Sequence, residues 1–134
     1  METKMELGQT WHHDFSFSQE QVNAFAKVTG DTNPLHLDAE YAAQTAFKKP
    51  IIHGMLGACV FSKVFGTIFP GPKSIYLSQT LDFKRALLPD NQYRAEFEVI
   101  EAQPEKKRFK VRTTIVSPET GDLMTDGEAW LRVR

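Results

Sequence analysis

The chain has 134 residues, 41% of them hydrophobic and 25% charged, which suits one globular domain with a real core. Its net charge of −1 excludes a bulk basic field for nucleic acid, and its single cysteine excludes an intrachain disulfide framework and fits a reducing, cytoplasmic setting. Residues 1–10 lack the apolar centre of a secretion signal and no run of about 18 apolar residues exists, so neither nucleic acid nor a membrane is expected as a partner.

Residues 9–17 read as a first strand, with Trp11, Phe15 and Phe17 toward a core. His12 and His13 are adjacent there, and neighbours on a strand point to opposite faces, so they do not chelate one ion. Ser18 and Gln21 have the spacing of a capping box. Val22, Phe25, Ala26 and Thr29 continue at helical spacing, and Gly30 suits the C-terminal cap. The helix therefore ends just before Asp31.

The segment Asp31-Thr32-Asn33-Pro34-Leu35-His36-Leu37-Asp38 follows. Pro34 removes a donor and biases Asn33 away from helical geometry, so the segment reads as a turn. A turn can bring Asp31 and His36 together on one water, as general acid–base chemistry requires. By spacing alone the segment is equally a loop braced by Asx residues. Asp38 can cap a second short helix over residues 39–44.

Residues 54–69 form the longest apolar run, stopped by Pro70-Gly71-Pro72. A helix of that composition is expected to be buried on most sides, with Cys59 as an inert core thiol. Gly54, Gly57 and Gly66 weaken it as a helix and so suggest close backbone approach. If Gly54 opens the helix, its N–H is unpaired and carries partial positive charge, suited to a developing oxyanion. Residues 74–87, 92–103, 109–115 and 123–133 alternate as strands between turns, which predicts a largely antiparallel sheet. Ile75 and Leu77 fall on one face of the 74–87 strand, with Tyr76 and Ser78 on the other. A curved sheet around one apolar helix, an α+β arrangement, covers that helix.

Asp31-Thr32-Asn33-Pro34-Leu35-His36-Leu37-Asp38 followed by Ile52-His53-Gly54-Met55-Leu56 resembles the hydratase motif of the MaoC-like, (R)-specific enoyl-CoA hydratases. The likeness runs from roughly Gly8 to the C-terminus and includes Leu81-Asp82-Phe83-Lys84. It implies one hot-dog domain over residues 1–134, a homodimer, and reversible hydration of a trans-2-enoyl-CoA to the (R)-3-hydroxyacyl-CoA. It further implies Asp31 and His36 as the catalytic pair, Gly54 as the oxyanion donor, and Asn33 as a loop brace or substrate contact. An acyl-CoA thioester is then the substrate, with no metal or other cofactor required. Ser62, Phe65 and Trp130 are the expected acyl-pocket residues, and the two aromatic side chains suggest short chains. Lys84 and Arg85 are candidates for CoA phosphates. A hot-dog thioesterase and a non-catalytic acyl-thioester-binding module are the alternative readings.

Overall fold

The computed structural model describes residues 4–134. Its elements in chain order are β1 (Thr10–Phe15), α1 (Gln19–Thr29), α2 (Pro34–Leu37), α3 (Ala39–Ala43), α4 (Gly54–Thr67), β2 (Ser74–Gln79), β3 (Asp82–Phe83), β4 (Tyr93–Gln103), β5 (Arg108–Val116) and β6 (Leu123–Val133). A 3₁₀ turn, Pro104–Lys106, joins β4 to β5. All strand pairs are antiparallel, in the order β1-β4-β5-β6-β2, with β3 added against β6.

Strict alternation sets the inner face. Tyr93, Ala95, Phe97 and Val99 of β4 are buried, and Val111, Thr113 and Ile115 of β5 continue that layer. Val60, Phe61, Val64 and Phe65 of α4 fill the concavity. Phe97 is the hub. It stacks on Trp11 at 5.2 Å and meets the edges of Phe61 and Phe65 at 5.9 and 5.3 Å.

The first helix follows its sequence signals. Ser18 accepts from the Gln21 N–H, the Gln21 side chain accepts from the Ser18 N–H, and Gly30 caps the end at φ 78°. His13 turns inward and meets Lys63 Nζ at 3.2 Å, while His12 is exposed on the other face. Burial and then Lys63 hold the His13 pKa below its ordinary value.

Three expectations change. The 74–87 strand is two short strands and a loop, and within the first of them the pairing with β6 shifts between Tyr76 and Ser78. Tyr76 lies before that shift, opposite Leu131, and its ring meets Phe65 edge-on at 5.4 Å. Helix α4 is not covered all round: Met55 is 57% exposed, and Cys59 and Ser62 one and two turns on are exposed too. Cys59 is therefore a surface thiol, although partial burial raises its pKa. Residues 34–37, read as a turn, close one helical turn with Pro34 at its start.

Close approach is real at two of the three α4 glycines. A Cβ on Gly57 would lie 2.5 Å from Leu87 Cδ1, and one on Gly54 would lie 2.8 Å from the Phe83 ring. At Gly66 a Cβ meets nothing within 4 Å, so that glycine is not explained by packing.

Phe97→Ala removes a fully enclosed ring that contacts three other aromatics. The expected loss is about 3–5 kcal/mol of unfolding free energy, measured by urea titration.

Candidate active site

The capped end of α1 delivers Asp31. The Thr29 hydroxyl donates to Phe25 O at 2.7 Å and accepts from the Asp31 N–H at 3.2 Å. Asn33 Oδ1 accepts from the Leu35 N–H at 3.0 Å, which starts α2 and carries His36 around. Gln19 of α1 donates to His36 O at 2.8 Å, so the first helix also fastens the second. The next segment closes against this loop. Ile51 N–H donates to Leu35 O at 3.2 Å, and Ile52 N–H donates to Leu87 O at 2.8 Å.

Asp31, His36 and His53 meet at this junction. A carboxylate oxygen of Asp31 and a ring nitrogen of each histidine lie within 4.8 Å of one another. The hydrogen bonds fix both tautomers. His36 Nδ1 is 2.7 Å from Ile51 O, and His53 Nε2 is 3.0 Å from Asp31 O. A carbonyl oxygen only accepts, so His36 carries its hydrogen on Nδ1 and His53 on Nε2. The neutral His36 ring then presents its Nε2 lone pair, and the Asp31 carboxylate is an acceptor as well.

Three such groups raise the question of a metal. The two imidazoles stack with centroids 3.8 Å apart and planes 27° apart. An ion bound at about 2.0–2.1 Å must lie near the plane of each ring. Two nearly parallel rings this close have no common point at that distance. Asp31 and His36 at this junction offer hydrogen-bond acceptors to a small polar molecule.

A cavity of about 400 Å³ opens onto Asp31, His36, Gly54, Met55, Phe83 and Leu87. Gly54 begins α4, whose first-turn amides have no intrahelical acceptor. No backbone acceptor takes the Gly54 N–H among the described residues. The helix thus offers a donor with partial positive charge to the cavity that holds the two acceptors. Phe47 and Phe83 supply aromatic wall, while Lys84 and Arg85 also line the cavity. Arg85 is 4.0 Å from Asp122, an exposed pair of little energetic weight. A larger hollow of about 590 Å³ lies on the outer sheet face by His12, Glu96, Glu98 and Arg112. It is remote from the acid–base cluster, and Arg112 there is engaged by Asp126 at 3.5 Å.

The chain belongs to the MaoC-like domain family. The family model spans residues 2–120. The chain is 42% identical to an (R)-specific enoyl-CoA hydratase of Aeromonas caviae, over 96% of each protein. It is 38% identical to a 3-hydroxybutyryl-CoA dehydratase of Methylorubrum extorquens, over 96% of this chain and 81% of that one. A solved structure of an (R)-hydratase from A. caviae involved in PHA biosynthesis superposes with a TM-score of 0.92 at 40% identity. That match covers 97% of this chain and 98% of the other, and the hot-dog arrangement expected from the motif is the one observed.

The MaoC-like motif residues divide in the structure. Asp31, His36 and Gly54 share the cavity. Asn33 does not line it, because its side-chain oxygen is spent on the α2 cap. Nor do the three acyl-pocket candidates. Ser62 lies on the exposed side of α4, Phe65 is buried beneath Tyr76 and Phe97, and Trp130 faces outward under Arg108 and Lys110. The reason for Trp130 is strand parity: Ala129 and Leu131 take the inner face of β6. His53 received no role from the sequence. Its only signal there is a titratable residue placed directly before the helix glycine in an apolar run. The Gln19 contact spans 17 positions and left no local mark.

Asn33→Ala removes the α2 cap, with an expected loss of about 1 kcal/mol by urea unfolding. Asn33→Ser, which can still cap, should recover most of it.

Proposed function

We propose that this MaoC-like protein is an (R)-specific enoyl-CoA hydratase that adds water reversibly to trans-2-enoyl-CoA. The observation that carries this is the convergence of the Asp31 carboxylate, the His36 ring and the Gly54 amide on one cavity. Two acceptors within 4.8 Å of each other can be bridged by one water, using hydrogen bonds of about 2.7–2.8 Å.

The chemistry then balances around that water. Asp31 and His36 Nε2 accept its two hydrogens and leave an oxygen lone pair free to attack C3. As the C3–O bond forms, Asp31 takes one proton and the C2–C3 π electrons move toward C1. The thioester oxygen gains negative charge and is held by the Gly54 N–H. Return of a proton from the Asp31–His36 pair to C2 completes the 3-hydroxyacyl-CoA and restores the Asp31 carboxylate. The reverse sequence expels water, so one site serves hydration and dehydration. The names of the two relatives, a hydratase and a dehydratase, accord with that reversibility.

The substrate reading is a short-chain enoyl-CoA. Phe47, Met55 and Phe83 crowd the cavity, and Lys84 and Arg85 beside them suit an anionic carrier. Purified protein should remove the enoyl-thioester absorbance of crotonyl-CoA and yield the (R)-alcohol. Asp31→Asn and His36→Gln should each slow this by about 10²–10⁴-fold while the fold persists. Inactive wild type on crotonyl-CoA, with free CoA released from saturated acyl-CoA, would replace the hydratase with a thioesterase.

The functional unit of this reading is a homodimer. Strand β2 ends the sheet, with Leu77 42% and Tyr76 38% exposed beside the open Met55–Cys59–Ser62 side of α4. Burial already lifts the Tyr76 phenol to about 12, with Cys59 adding a smaller push. An unpaired strand edge with an apolar flank is self-complementary under a two-fold axis. Sedimentation should give twice the 15.2 kDa chain mass, and Leu77→Asp should shift it to monomer. Monomeric wild type at micromolar concentration would overturn the dimer.

A further inference from the structure

Asp31 and His36 belong to different local structures, and no side-chain bond runs directly between them. His53 touches both. Its side chain is held in the core, with the residue 2% exposed. Its Nε2–H donates to the Asp31 carbonyl at 3.0 Å. Its ring lies against His36 with centroids 3.8 Å apart, and Phe25 closes another side at 4.9 Å and 63°. The remaining nitrogen, Nδ1, is buried with no partner. A buried polar atom without a partner is costly and calls for an explanation.

An apolar residue of similar size could fill the volume of His53. It could not donate to the Asp31 main chain while backing the His36 ring. Neither asparagine nor serine has the flat face, and phenylalanine lacks the donor. The unpaired Nδ1 is the cost of using an imidazole for both contacts. The groups that face His53 are Asp31, His36 and Phe25, and the first of these engages it through its carbonyl.

The geometry points to His53 as a positioning residue: its ring pins the Asp31 main chain and backs His36, holding the two acceptors at the spacing of one water. This rests on the hydratase reading above for its catalytic consequence, and on the contacts alone for its structural part. His53 also borders the cavity, but its Nε2 is committed to the Asp31 carbonyl and its Nδ1 is buried, so it acts through Asp31 and His36.

Three variants separate its contacts. His53→Gln keeps a donor near the Nε2 position but loses the ring. His53→Phe keeps the ring but loses the donor. His53→Leu loses both. With crotonyl-CoA, His53→Leu should lose roughly 10²-fold in kcat, the scale of a small misplacement of reacting groups, with KM within about twofold. His53→Gln and His53→Phe should each recover part of that loss, and the pH profile of kcat should move in His53→Phe, where the neighbour of His36 changes. A merely structural residue would lower the melting temperature and the active fraction without moving the profile.

Folded His53→Leu with wild-type kcat and pH profile would overturn the proposal. So would long-range ¹H–¹⁵N spectra of the wild type showing His53 protonated on Nδ1 at neutral pH, an outcome independent of whether any variant folds. Spectra with His53 protonated on Nε2 support it. If the wild type does not hydrate crotonyl-CoA, the hydratase reading fails, and the tautomer measurement still decides the contact.

Discussion

Two hydrogen bonds from imidazole to a backbone carbonyl join the parts of the MaoC-like site. His36 donates to Ile51 O across 15 positions, and His53 donates to Asp31 O across 22. Each ties a side chain of one segment to the main chain of the other. The loop after α1 and the lead-in to α4 are thereby locked reciprocally. The same bonds set both tautomers, so packing and chemistry are decided together. His36 is left with an outward lone pair because its other nitrogen is committed to the fold.

The helix–sheet core makes that lock possible. Phe61, Phe65 and Phe97 hold α4 in the concave sheet and so fix where its first turn emerges. Gly57 lets Leu87 close against the helix, and the Leu87 carbonyl then receives the Ile52 N–H. Gly54 lets the Phe83 ring lie against the helix start. The absence of two side chains therefore brings the 83–87 loop down to form one wall of the cavity. A bulkier residue at either glycine would lift that wall away from the Gly54 amide.

The same α4 carries two opposed demands. Its inner side is aliphatic and aromatic and is covered by the sheet, while Met55, Cys59 and Ser62 look outward beside the β2 edge. Periodicity shows that the run is apolar. It does not show whether each side is covered by the chain itself or by a second copy. Tyr76 illustrates the limit at residue scale, since it is partly exposed yet meets Phe65 of α4 edge-on, a contact that alternation does not disclose.

The sequence by itself determined the local elements whose causes are local. The Ser18–Gln21 box, the Gly30 cap, the Asp38 cap and the alternation in β4, β5 and β6 each lie within one stretch of chain. The Asp31–His36 pair and Gly54 were readable as well, because the motif places them in a short loop and at a helix start. Tertiary structure alone decided the rest. The stacking of His53 on His36, the Gln19 contact, the capture of Asn33 as a cap and the outward turn of Trp130 depend on what lies across space. Hydrogen bonds and ring contacts between distant positions impose no period on the sequence. A side chain's role in the site is fixed only when its partner's main chain arrives.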